Sequence, residues 1–167
     1  IKELAFKVQD TYFSIDKPQR PKGTRITVST SSFVPKPFTP FMWAAQDTMV
    51  TLRHKQDILK NEMKSRLINY NWHDADLSVL EGVFARGDRK LNKILIDAYK
   101  KGCRLDGWQE HFKYDKWMEA FEDNKLDYSF YNHRERSYEE ILPWDFIDVG
   151  VTKKFLMAEN EKAKQAA

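Results

Sequence analysis

Ile1, Leu4, Ala5, Val8, Tyr12 and Ile15 recur at helical spacing and share one face, which predicts an amphipathic helix over residues 1–15. Asp16-Lys17-Pro18 and Pro21-Lys22-Gly23 break it. Over residues 25–32 (RITVSTSS) the period shortens to two, with Ile26 and Val28 on one side, and predicts a strand. The next stretch, FVPKPFTPFMW over residues 33–43, has prolines at 35, 37 and 40, which forbid a helix and suit an extended, rigid loop. Asp47 is placed to cap a helix running to about Arg66, with Met49, Leu52, Leu59 and Met63 inward. Ile68, Tyr70 and Trp72 then alternate with Asn69, Asn71 and His73, a second short strand. Strand, helix, strand is a βαβ unit with parallel pairing.

The remainder reads as helical. Asp76 is placed to cap a helix carrying Leu77, Leu80, Val83 and Phe84, stopped by Gly87. Asp88 is placed to cap another, with Leu91, Ile94, Leu95 and Ala98 buried and Gly102 at its end. Asp115 starts a third around Trp117, Met118 and Phe121. Ser137 and Glu140 have capping-box spacing, kept short by Pro143, and Thr152 caps a tail helix. The fold class is therefore α/β: terminal β/α elements over residues 1–73 and a mostly helical region over 74–167. Two strands make no independently stable sheet without support. A strand preceded by a helix, with no strand before it, is how a β/α repeat looks when cut between repeats.

Composition narrows the function classes. Lys plus Arg is 28 and Asp plus Glu 25, an excess too small to argue for nucleic acid, and no apolar run reaches a membrane span. Cys103 is the only cysteine, so an intrachain disulfide and an all-cysteine iron–sulfur site are both excluded. A cytoplasmic location is the simplest reading.

The stretch VSTSSFVPKPFTPFMWAAQDT (28–48) resembles the last-strand region of radical S-adenosylmethionine (radical SAM) barrels, where a strand ends in a Phe-X-Pro-Lys-Pro-X-Thr-Pro-Phe loop. WHD (72–74), LEGVFARGDRK (80–90), AYKKGCRLDGWQEHF (98–112) and LPWDFIDVGV (142–151) resemble the C-terminal region of bacterial radical SAM proteins that often carry a B12-binding-like domain. The resemblance implies the truncated end of a partial (β/α) barrel. The parent would be an iron–sulfur oxidoreductase that reductively cleaves S-adenosylmethionine to a 5′-deoxyadenosyl radical. Its implied cofactors are a [4Fe–4S] cluster, S-adenosylmethionine and, with such a domain, cobalamin. The cluster motif CxxxCxxC is absent here, so this chain alone is expected to be inactive and to need the N-terminal part of the same protein as partner.

Barrel active sites lie at the C-terminal ends of strands. Ser31, Ser32, Phe33 and Pro35 are therefore candidates to line the S-adenosylmethionine pocket, against a plain role as a rigid rim loop. Glu81, Arg86 and Arg89, with Asp106, Trp108 and Glu110, are candidates to face substrate; the alternative pairs Arg86 and Arg89 with Glu81 or Asp106. His73, Asp74 and Asp76 read as a turn rather than a metal site, His54 as solvated, His111 as a buried, hydrogen-bonded histidine with an active-site edge beside Trp108 and Glu110 as the alternative, Cys103 as a small core residue, and Trp43, Trp72, Trp108, Trp117 and Trp144 as core. The rival class is a non-catalytic interaction module binding protein or RNA through the basic stretch Arg53, Lys55, Lys60, Lys64 and Arg66. The unpaired edge of the first strand is expected to recruit a second copy of the chain.

Overall fold

The computed structural model describes residues 1–166. Their order is α1 (Lys2–Ser14), β1 (Ile26–Thr30), α2 (Met49–Glu62), β2 (Ile68–Trp72), α3 (Ala75–Ala85), α4 (Leu91–Lys100), α5 (Tyr114–Asp123), α6 (Ser129–Asn132) and α7 (Lys153–Ala166). Among the described residues this is an α/β chain with seven helices and one two-stranded parallel sheet. It divides into two units: residues 1–32 with 48–75, and residues 33–47 with the chain from Asp76 onward.

In the first unit the expected βαβ is present. Ile26 lies opposite Ile68 and Thr30 opposite Trp72; the Ile26 N–H donates to the Leu67 carbonyl at 2.7 Å, and the His73 N–H to the Thr30 carbonyl at 3.1 Å. Alternation turns Ile26, Val28, Ile68 and Tyr70 to one face, where Ala5, Phe6, Leu59 and Met63 pack on them. The other face carries Thr27, Ser29, Asn69 and Asn71, all exposed. So the helices cover one side of the sheet and a polar face stays open.

Three details of this unit differ from the sequence reading. Thr48, not Asp47, caps α2: its hydroxyl accepts the Thr51 N–H at 3.3 Å, and the helix stops at Glu62, short of Arg66. The apolar stripe of α1 is mostly open, because contact with the sheet runs through Ala5 and Phe6; Leu4 is 68% exposed and Val8 47%. Trp72 is not core but 43% exposed, stacked on Tyr70 with the Lys60 ammonium 5.3 Å from its ring. An edge strand with an open flank cannot enclose a residue that large.

The second unit has two apolar clusters. One joins Leu80 and Val83 of α3, Leu91, Ile94 and Ala98 of α4, Cys103, Trp117 and Phe121 of α5, and Tyr131 of α6. The other joins Met42, Trp43, Leu142 and Trp144 to Leu156 of α7. Gly102, at φ +92°, ends α4 as expected, and the Cys103 N–H closes the turn on the Ala98 carbonyl. Thr152 caps α7 through the Phe155 N–H at 3.2 Å.

Leu95 is 46% exposed rather than buried, since Ile94 and Ala98 fill the inner stripe of α4. Asp76 and Asp115 lie in the first turns of α3 and α5, not at caps, where they still oppose the helix dipole. Asp88 does not cap α4 directly. Its carboxylate accepts the Lys90 N–H at 2.8 Å and the helix begins at Leu91. Ser137 and Glu140 form only a turn, because Glu140 is drawn to Arg134 instead. Among the described residues no helix is long and apolar enough to cross a membrane.

Gln46, 2% exposed, threads its amide against α3, donating to the Ser78 carbonyl at 2.8 Å and accepting from Asn132 at 3.1 Å. A Cβ on Gly82 would stand 2.1 Å from its Oε1. Gly82→Ala is therefore expected to cost about 1–3 kcal/mol in denaturant unfolding. Unchanged stability would show that Gln46 is free to swing aside.

Candidate functional site

The polar chemistry of the second unit gathers where α3 gives way to α4. Gly87 sits at the turn: a Cβ would meet Leu91 Cδ1 at 2.0 Å and the Val83 carbonyl at 3.0 Å, so a larger residue would make both give way. The chain reversal sends Arg86 inward, where it is fully buried. Its Nη1 donates to the carbonyls of Ala44 at 2.7 Å and Asn132 at 3.4 Å. Arg136, also buried, donates from Nη2 to the carbonyls of Arg86 and Tyr131, each at 3.1 Å, and its backbone N–H goes to the Trp43 carbonyl at 2.8 Å. Its guanidinium lies 5.4 Å from the Trp144 ring.

Around this pair the acids make their hydrogen bonds to other groups, while the charge of Glu140 acts on both arginines and that of Asp88 on Arg136. Asp88 accepts from the Tyr131 hydroxyl at 3.0 Å. Glu140 takes both nitrogens of Arg134, at 2.7 and 2.8 Å. Burial pushes the Arg86 guanidinium down to about 10, with the charges of Arg136 and Arg134 adding to the effect. Burial likewise lowers Arg136. Burial, then the bond to Asp88, raises Tyr131 to about 12. The hydrogen bonds from Arg134 hold the Glu140 carboxyl below its ordinary range. Beside the turn runs a cleft of about 720 Å³, with Gly87, Asp88, Arg89 and Lys90 on one side and Ile141, Leu142, Pro143 and Phe146 on the other.

The six residues expected to face substrate do not converge. Glu81 forms an ion pair with Lys36. Among the described residues Arg86 makes no ion pair with Glu81 or Asp106, so that expected pairing is not seen; backbone carbonyls accept from it instead. Arg89 lines the cleft. Asp106 accepts from Trp117 Nε1 at 3.4 Å. Trp108, expected in the core, is 57% exposed, and Glu110 is exposed. Both lie in the irregular segment between α4 and α5.

Of the residues expected near the nucleoside, Ser31 is exposed and Ser32 half-buried just past β1. Phe33 is 47% exposed and meets Phe41 edge to face at 5.8 Å. Pro35 is fully buried and offers no surface to a ligand. His54 is exposed, as expected, whereas His111 is exposed rather than buried. On α2, Arg53, Lys55 and Lys60 are exposed; Lys64 and Arg66 lie beyond its end.

Among the described residues no group of three or more His, Cys, Asp or Glu side chains is placed to hold a metal ion. Cys103 is buried, and burial raises its thiol. One buried thiol does not fit a [4Fe–4S] cluster, which takes several thiolates. The polar residues Gln46, Asn132 and Arg136, which organise the second unit, escape a sequence reading because each acts across a long loop; only the excess of polar residues inside apolar runs marks them. No family model, no curated protein and no solved structure matches the chain.

The Arg134–Glu140 pair has a definite pH signature. A depressed carboxyl contributes stability that is complete above its unfolded value of about 4.3 and is lost as pH falls through the folded value. Glu140→Gln is expected to cost about 1 kcal/mol at pH 7, with the difference from the parent chain vanishing toward pH 2. A difference that persists undiminished at pH 2 would show that the carboxylate charge is not its source.

Proposed function

We propose that this chain is the C-terminal part of a radical SAM iron–sulfur oxidoreductase. The observation that carries the reading is the parallel β1–α2–β2 unit: helices cover one face, Thr27, Ser29, Asn69 and Asn71 leave the other open and polar, and the PKPFTPF loop departs from the C-terminal end of β1. In a barrel the helices pack outside the strands, and active sites form at the C-terminal ends of the strands, where this loop begins. The motifs quoted above supply the family. The cluster's thiolates come from elsewhere in the parent, since Cys103 alone does not fit one. When bound, the cluster and S-adenosylmethionine supply the radical chemistry. This chain's part is to present Ser31 and Ser32 at a strand end, where backbone and hydroxyl groups orient a polar cofactor edge, and to keep β1 rigid beneath them through the Thr30–Tyr70 hydroxyl bond of 2.7 Å.

The test is the full product of the encoding gene, reconstituted anaerobically with iron and sulfide and supplied with S-adenosylmethionine and dithionite. Release of 5′-deoxyadenosine is expected, and none from the 167-residue chain treated alike. A full-length product that binds no cluster and forms no 5′-deoxyadenosine would remove the proposal.

The same reading makes the free edge of β1 a pairing site. Ile26 donates toward β2, so the two-residue period points the Thr27 and Ser29 amides away from it. The 167-residue chain is expected to dimerise along this edge with rising concentration. Thr27→Pro, which removes one outward donor without touching the packed face, is expected to keep it monomeric. Light scattering across a dilution series decides: a parent chain that stays monomeric at high concentration contradicts the edge pairing.

A further inference from the structure

The cleft of about 720 Å³ beside the turn from α3 into α4 has two walls of different chemistry. Gly87, Asp88, Arg89 and Lys90 form one. Arg89 and Lys90 are exposed, and among the described residues no carboxylate pairs with either side chain. Asp88 offsets one of these charges, and its Oδ1 is taken by the Tyr131 hydroxyl and the Lys90 N–H. One positive charge is left in excess on this wall. Ile141, Leu142, Pro143 and Phe146 form the other wall, and none of them ionises. Ile141 is 88% exposed and Phe146 82%. A single exposed apolar side chain is ordinary, but two that line one cleft with a proline between them mark a binding surface.

Both walls are held before any ligand arrives. Leu142 is buried against Met42, Trp43 and Leu156, and its N–H donates to Asp145 Oδ2 at 2.9 Å. Lys153 ties the same turn, donating to Asp145 Oδ2 at 3.0 Å and to the Glu140 carbonyl at 3.2 Å. Opposite, the Lys90 N–H is fixed on Asp88 at 2.8 Å. A pre-formed cleft, apolar over most of its lining with a few polar groups to one side, is the usual form of a small-molecule site, and this volume lies in the usual range. We propose that the cleft binds an aromatic monocarboxylate, its carboxylate on Arg89 and Lys90 and its ring against Pro143 and Phe146. A guanidinium fork meets a carboxylate with paired, charge-assisted bonds. The flat faces of Pro143 and Phe146 suit a ring, which loses less freedom on binding than a flexible chain. The next hollow, of about 360 Å³, shares Phe146 and carries Asp145 and Asp148. Asp145 is matched by Lys153, but Asp148 bonds the Gly150 N–H within its own turn, and its charge turns a carboxylate away from that end. The site is independent of the radical SAM reading.

The experiment titrates the nitrogen-15-labelled 167-residue chain with 4-phenylbutyrate to low millimolar concentration and follows the backbone amide signals. Saturable shifts are expected at residues 87–91 and 141–147. Acetate supplies the charge without the ring, 4-phenylbutyramide the ring without the charge, and 4-phenylbutylammonium the ring with the opposite charge. Each is expected to bind at least about tenfold more weakly at matched ionic strength. Arg89, Lys90 and Phe146 are exposed, so their variants should keep the spectrum of the folded chain. Arg89→Gln combined with Lys90→Gln, and separately Phe146→Ala, should each raise Kd roughly tenfold. Arg89→Lys, which keeps the charge and loses the fork, should raise it about threefold. Failure of 4-phenylbutyrate to saturate overturns the proposal, as do shifts centred away from these residues. So does equal affinity for the amide, or undiminished binding in the folded Arg89→Gln, Lys90→Gln chain.

Discussion

A parallel pair of strands obliges the chain to leave the sheet, cross over and return, and then to find cover for whatever the pair leaves open. In the first unit α2 makes the crossing and, with α1, buries the face carrying Ile26, Val28, Ile68 and Tyr70. That settles one face and one edge of β1. The opposite face is polar, so it tolerates water. The free edge of β1 is not neutral in the same way, because its amides and carbonyls need partners of some kind. The half-exposed Trp72 follows from a sheet of only two strands among the described residues.

The second unit answers a different constraint. Its elements are helices joined by long irregular segments, and such segments bring unpaired backbone carbonyls inside. Arg86, Arg136, Gln46 and Asn132 bond those carbonyls one by one, tying residues 43–46 to the end of α3 and to residues 131–136. Hydrogen bonds from charged donors are the strong kind. They fix loops that apolar packing alone would leave slack, and they carry net positive charge into the core as a consequence.

How much of this was legible beforehand depends on the range of each interaction. Local periodicity revealed α1, β1, α2, β2, α4 and the Thr152 cap, because residues two to four apart decide those features. Caps one residue away from their true place, such as Asp47 for Thr48, show the limit of that reading: both side chains can cap, and only the backbone path selects one. Trp72, Trp108 and His111 were placed inside on residue type, but burial needs a neighbouring layer, which sequence does not display. Arg86 looked like half of a surface ion pair because charged residues surround it in sequence. In space its neighbours are carbonyls contributed by Ala44 and Asn132, more than 40 residues distant. The candidate nucleoside loop was legible only through its motif; its prolines explain rigidity, not contact, and Pro35 turned out to be packed away.

The central claim is that β1 is an interior strand of a larger parallel sheet. Amide hydrogen exchange at Thr27 and Ser29 measures it directly, since their N–H groups face the free edge while Ile26 already donates to Leu67. The account predicts fast exchange in the dilute 167-residue chain and strong protection in the full product of its gene. Equally fast exchange in both would contradict it, because a strand that stays unpaired in the whole protein belongs to no barrel.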